Sequence, residues 1–249
     1  MKKPIVITEV TRMQEGRVCI AGYDQHGQCL RPVLPPPGIH ESSLYSGARL
    51  IVFPSAKVEF EFTQPTPQPP HTEDIRYDPD VVRLIERQPE ERWHKMLEAT
   101  LSKSVSDVFE QPIHSEHGYY IIDGQGLRSL GTIRPARILK TIHEFSQDSQ
   151  KWKYRIGFID NEQATYWLTV TDLTWRYFHD QQRRNGRAPS DIASEMTALL
   201  KSKEVLLRLG LARGWEEHPD RCYIQLTGVY TFPDYLEGKT LADFVPKDE

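Results

Sequence analysis

The chain has 249 residues, of which 38% are hydrophobic and 27% charged, and its net charge is −4. That composition belongs to a folded globular protein rather than a disordered one, and it lacks the strongly basic balance of a protein that grips duplex DNA indiscriminately. No apolar run approaches the roughly 20 residues a membrane-spanning helix needs, and the three cysteines, Cys19, Cys29 and Cys222, have no C-x-x-C spacing, so neither a disulfide framework nor a cysteine zinc site is expected.

The start, MKKPIVITEVTR, alternates as a strand does and lacks the apolar block of a signal peptide, which points to a cytoplasmic protein with no membrane partner. Pro4–Thr11, Arg17–Tyr23 and Cys29–Leu34 read as strands, the last ended by Pro35-Pro36-Pro37-Gly38. Segments 48–53 and 56–63 read as a hairpin about Pro54-Ser55. Five short strands suit a small barrel over residues 1–70, which leaves through the proline-rich run from Gln64 to Pro70. Residues 71–125 read as a helical connecting segment. One helix is expected from Asp78 through Glu86, and a second from about Pro89 to Leu101 with Trp93, Met96, Leu97 and Leu101 on one stripe.

Residues 126–249 resume the β pattern. Segments 130–142, 152–159 and 163–170 read as strands. Thr171-Asp172 caps a helix over 172–185, a second helix follows over about 190–201, and 204–210 and 222–232 are the last strands. Three strands, helix, two strands is the order of the oligonucleotide-binding (OB) barrel, although a five-stranded sandwich with an inserted helical pair gives the same string. The fold class expected is therefore α+β, mainly β: two small OB-like barrels, a helical segment between them, and a helical insert in the second.

Charge is distributed unevenly. Residues 126–215 carry 15 Lys or Arg against 9 Asp or Glu, while the segments on either side are each five negative. Trp152, Tyr154, Trp167, Trp175, Tyr177 and Trp215 lie in that basic stretch. Cationic grooves with aromatic floors hold single strands by phosphate attraction and base stacking.

Several phrases occur together: Gly16-Arg17-Val18-Cys19-Ile20-Ala21-Gly22, Arg31-Pro32-Val33, Pro70-His71-Thr72-Glu73-Asp74, Arg128–Pro135, Gly210–Trp215, Asp220-Arg221-Cys222-Tyr223 and Gly228–Tyr235. With these the chain resembles the prokaryotic dual OB-containing domain family over almost its whole length. The resemblance implies two barrels and a nucleic-acid-processing or defence setting, and it brings no established activity and no catalytic residue.

The strongest candidate pair is Arg213 and Trp215, which share strand parity beside Gly214. Trp215 would stack a base and Arg213 would meet a phosphate; alternatively Trp215 is core and Arg213 satisfies a buried acceptor. Arg134 and Arg137 lie three apart on one strand and so face opposite sides. Trp152 and Tyr154 share one face and Lys151, Lys153 and Arg155 the other, suggesting rings inward and cations outward. Arg176, Arg183, Arg184 and Arg187 make one side of the helical insert cationic, either a binding face or a solvated one, and Arg221 and Tyr223 complete the set.

His71, Glu73 and Asp74 form a possible alternative polar site, but the Pro-Cys-x-x-Cys half of a deaminase signature is missing. His114-Ser115-Glu116-His117 lacks a second ligand cluster, so no metal and no cofactor is expected. The leading expectation is a non-enzymatic protein that binds single-stranded DNA or RNA, or an adaptor. The alternatives are a protein-interaction subunit of a prokaryotic assembly and a metal-dependent hydrolase or nuclease.

Overall fold

The computed structural model describes residues 1–245. Five strands close the first barrel: β1 (Lys2–Arg12), β2 (Arg17–Tyr23), β3 (Cys29–Val33), β4 (Ala56–Pro65) and β5 (Asp74–Arg87). β1 pairs antiparallel with both β2 and β4, β2 with β3, and β4 with β5. The parallel pairing of β3 with β5 closes the ring. Inward positions such as Ile5, Ile7, Ile20, Val58 and Phe60 fill it.

Two expectations for this half are corrected. Asp78–Glu86 is strand, not helix, so the barrel's fifth strand lies beyond the boundary at residue 70 and the proline-rich run is the loop before it. Val81, Val82, Leu84 and Ile85 favour the pleated backbone, and the strand tolerates Pro79 because the pairing with β4 jumps there, from Phe60↔Val82 to Glu61↔Asp78. A proline inside such a bulge removes no ladder donor. Segment 48–53 is no barrel strand, since only Arg49–Leu50 pairs, with Tyr45–Ser46. Its Ile51, Val52 and Phe53 instead pack into the core.

After β5 come α1 (Glu90–Glu98), which carries the expected apolar stripe, and α2 (Val105–Phe109), with Leu101–Ser102 between them pairing with Thr132 and Ile133. The connecting segment is not wholly helical as expected, because Tyr119–Ile122 is a strand that pairs with Arg221–Tyr223. Trp93 and Leu97 of α1 pack on Leu206, against Val6 from the first barrel and Tyr230 and Phe232 from the second half. The stripe thus fills the seam between the two halves.

The second barrel uses β6 (Leu130–Ile133), β7 (Arg137–Ser146), β8 (Lys151–Ile159), β9 (Thr165–Thr169), β10 (Glu204–Leu211) and β11 (Arg221–Phe232). β6 and β7 are the expected first strand, broken at Arg134-Pro135-Ala136, where Pro135 has no N–H to give. β7 pairs with β8, β8 with β9, β6 with β10 and β10 with β11. A parallel bridge, Val170↔Leu226, closes the ring with the strand order of the first barrel. Between β9 and β10 lie α3 (Leu173–Arg184) and α4 (Pro189–Ser202). Asp172 caps α3 by accepting from the Thr174 and Trp175 N–H groups, and Trp175 is core.

Buried polar contacts hold the barrels together. Arg208 of β10 and Glu9 of β1 are both shut off from solvent and pair through two N–H···O bonds of 2.6 and 2.9 Å. Arg208 also donates to the Tyr23 hydroxyl at 3.1 Å and to Thr132 Oγ1 at 2.8 Å. Both strands carry a register shift at this point, between Ile7 and Glu9 and between Arg208 and Leu209. Bulges re-aim side chains, and here they turn two charges toward each other across the seam. Arg12 N–H donates to the Thr171 carbonyl at 2.8 Å, and the Tyr177 hydroxyl to Glu41 at 2.6 Å.

Candidate functional site

A groove of about 1410 Å³ runs between the barrels. From the first barrel it takes the β1–β2 loop (Met13, Gln14, Glu15, Gly16), parts of β2 and β3 (Val18, Cys19, Arg31, Pro32, Val33), and the β4–β5 loop with the start of β5 (Thr66, Gln68, Asp74, Arg76). From the second it takes the start of β8 (Lys151, Trp152, Tyr154), Thr169 at the end of β9 with Thr171 just beyond it, and the β10–β11 loop from Ala212 to Trp215. These are equivalent parts of two barrels: in each, the second and third strands and the loop before the fifth strand face the groove.

The lining is cationic. Arg12, Arg17, Arg31 and Arg76 come from the first barrel, and Lys151, Arg176, Arg183 and Arg213 from the second; Glu9, Glu15, Asp74 and Asp180 are the carboxylates. That leaves four positive charges in excess, in a chain whose total is −4. Glu9 is spent on Arg208. Arg76 and Lys151 are exposed and make no ion pair among the described residues.

Aromatic rings stand among the cations. Trp215 is 52% exposed, with His218 edge-on to it at 5.8 Å between ring centres. The Arg183 guanidinium lies 3.9 Å above the Trp152 ring, and Arg176 lies 5.1 Å from that of Tyr154. Tyr154 donates its hydroxyl to Asp180, which also receives Arg183 at 2.9 Å. The expected split of rings inward and cations outward thus holds for buried Tyr154, whereas Trp152 is half-buried beside exposed Lys151 on the groove wall.

The dual OB-containing domain model matches residues 3–229. The chain belongs to this family. No curated protein sequence matches this dual OB protein. It is similar to a solved murine DNA-binding protein bound with double-stranded DNA, at 12% identity and a TM-score of 0.32, over 93% of this chain and 97% of that one. A likeness that distant carries no argument about the dual OB protein. No helix among the described residues is long and apolar enough to cross a membrane.

Of the ten nucleic-acid candidates read from the sequence of the dual OB chain, four share the groove: Arg176, Arg183, Arg213 and Trp215. The other six line no part of it. Arg134 bonds to Glu98 at 2.8 Å and Glu204 at 2.6 Å, and Arg137 lies with it beside a separate cleft. Arg184 donates to the Phe244 carbonyl, Arg187 pairs with Glu195, and Arg221 pairs with Glu116 while donating to the Tyr223 hydroxyl. Sequence reasoning missed Arg12, Arg17, Arg31, Arg76 and Lys151. Four of these belong to a half that is net negative, so local charge gave no sign of them.

His71, Glu73 and Asp74 are all buried and do not converge on one ligand. Glu73 accepts from Ser129 N–H at 2.7 Å and from its hydroxyl at 2.8 Å. Asp74 accepts from Arg31 and Arg213. His71 Nε2 lies 4.0 Å from Cys222 Sγ, which itself donates to Asp123. Burial pushes the Cys222 thiol up to about 12, and burial with the nearby Arg31 and Arg213 charges pushes His71 down to about 2. Both groups are therefore neutral, the reverse of a thiolate–imidazolium pair. The one metal-sized cluster among the described residues, His94, Glu98 and Glu204, already holds the Arg134 guanidinium on both carboxylates.

The buried histidines make acid stability a direct test of this packing. Burial also pushes His179 down, to about 3. Below pH 6.5 each ring takes up a proton only in the unfolded chain, so stability falls as pH drops, by about 1.4 kcal/mol per pH unit for each histidine. Urea denaturation between pH 7 and 5 should show that decline, and it should be shallower in a His71→Gln variant that retains the fold.

Proposed function

We propose that the protein binds single-stranded nucleic acid along the groove between its barrels. One observation carries the reading: the second and third strands and adjoining loops of both barrels, the surface by which OB barrels take oligonucleotides, open into the same groove, and that groove is cationic. Arg and Lys on both walls attract a phosphate backbone, while the half-exposed Trp215 offers a face on which an unpaired base stacks. The four groove carboxylates are each paired with an arginine, whereas Arg76 and Lys151 make no ion pair among the described residues; a surplus of cations with its carboxylates already engaged favours a binding or adaptor role over catalysis.

Fluorescence anisotropy with labelled DNA and RNA single strands of roughly 8–16 nucleotides, a length suited to two OB barrels, tests the proposal. Saturable binding at low salt, micromolar or tighter and weaker for duplex of the same length, is expected. No binding to any single strand at low salt overturns it.

A further inference from the structure

The groove contains an arginine–carboxylate–arginine cluster at the point where the barrels meet. Asp74, at the start of β5, accepts from Arg31 Nε at 2.5 Å through one oxygen and from Arg213 through the other. Arg31 belongs to the first barrel and is only 4% exposed, yet it forms part of the groove wall. Its Nη2 is buried and has no acceptor within the protein among the described residues. Arg213 comes from the β10–β11 loop of the second barrel, and its side chain is half exposed. One guanidinium is thus enclosed with a donor unspent, and the other reaches the same carboxylate from a half-exposed side chain. A buried charged donor left unpaired is expensive, and a guanidinium fork matches the oxygens of a phosphate.

Resting on the single-strand reading above, we propose that Arg31 and Arg213 form a phosphate subsite for which Asp74 is the resident competitor. When a phosphate group arrives, Arg213 leaves the Asp74 carboxylate for the phosphate oxygens, and Arg31 keeps its Nε bond to Asp74 while Nη2 gains an acceptor. The exchange is of one anionic partner for another, with no bond made or broken covalently. Because Arg213 belongs to one barrel and Arg31 and Asp74 to the other, phosphate capture also rearranges the contact between the two loops that precede the fifth strands.

Two changes, one isosteric and one that shortens the side chain, give opposite signs. Arg213→Gln removes the half-exposed donor and should weaken binding of a short single strand about tenfold, as loss of one charge-assisted contact does. Asp74→Asn removes the competing charge and should tighten binding by about threefold or more, an effect that simple structural damage does not produce. The source of the phosphate is separated by two arms on the full chain. Oligonucleotides with one neutral methylphosphonate linkage, walked along the strand, report an internal phosphodiester; matched strands with and without a 5′-phosphate report a terminal one. In either arm, a position whose neutralisation weakens binding to the wild type, and no longer does so in Arg213→Gln, supports the subsite. If strands bind but neither variant changes affinity and neither arm finds a sensitive phosphate, the subsite is wrong and the single-strand reading stands. If no strand binds, titration of inorganic pyrophosphate followed by NMR of the arginine side-chain N–H groups decides: saturable shifts at Arg31 and Arg213 in the wild type, absent in Arg213→Gln, keep the subsite without the strand, and no shift removes it.

Discussion

Replacing Glu9 by Ala is expected to lower the unfolding free energy by about 3–5 kcal/mol, the usual loss when one member of a buried ion pair is removed. Arg208 is fully buried, and its four N–H···O contacts reach Glu9, Tyr23 and Thr132. Without Glu9 the guanidinium keeps its charge inside the protein with two neutral hydroxyls for partners. Removing both charges is a different experiment: Glu9→Leu with Arg208→Met substitutes apolar volume for the pair and should recover most of the loss, because desolvation opposes the attraction of any buried pair. Urea denaturation of Glu9→Leu, Arg208→Met and the double variant closes the cycle. A single variant that loses less than about 1 kcal/mol, the range of an exposed pair, would show that the seam does not depend on this contact. A second consequence concerns binding. If the pair aligns the barrels, the Glu9 variant should lose affinity for single strands under conditions where its secondary structure is intact.

Trp215→Ala is expected to weaken single-strand binding by about 1–3 kcal/mol, or roughly 5- to 150-fold in Kd, the measured scale of base–aromatic stacking. The ring is half exposed, with His218 edge-on to it, and belongs to none of the hydrophobic core clusters, so its removal takes little from the core. The variant should therefore melt near the wild type while binding poorly. Salt separates stacking from charge. Each phosphate neutralised adds about 0.7 to the slope of log K against log salt for a single strand. Arg213→Gln should reduce that slope by about 0.7, whereas Trp215→Ala should leave it unchanged and shift the whole line. Equal loss of slope in both variants would mean that the indole positions a cation and stacks on nothing.

The sequence yields the barrels more readily than the groove. In the second half, strand rhythm, the Asp172 cap and the helical insert all agree with the tertiary structure, and each is a local signal. In the first half, Asp78-Pro79-Asp80 carries a strong helix-start signal that the sheet overrides by placing Pro79 in a bulge opposite β4. Pairing between β4 and β5 is non-local, and no window of residues shows it. The site was half legible for the same reason. Arg176, Arg183, Arg213 and Trp215 sit in a basic, aromatic stretch and announce themselves, while Arg134 and Arg187 share that stretch yet are paired with carboxylates that only the fold brings near. Arg76 stands among Glu73, Asp74, Asp78 and Asp80, and Arg31 is the lone formal charge of residues 25–40; both matter because β3 and β5 lie parallel beside the second barrel's loop. Net charge along a chain reports composition; convergence at a surface depends on topology.

The central claim is that both barrels serve one strand. Photo-crosslinking a uniformly 4-thiothymidine-substituted single strand of roughly 16 nucleotides to the full chain, with the binding stoichiometry measured in parallel by calorimetry, tests it most directly. A single strand bound per protein, with adducts on both the 31–39 segment and the 211–215 segment, is the predicted result. Two independent equivalents of strand, or adducts confined to one barrel or to surfaces outside the groove, would contradict it.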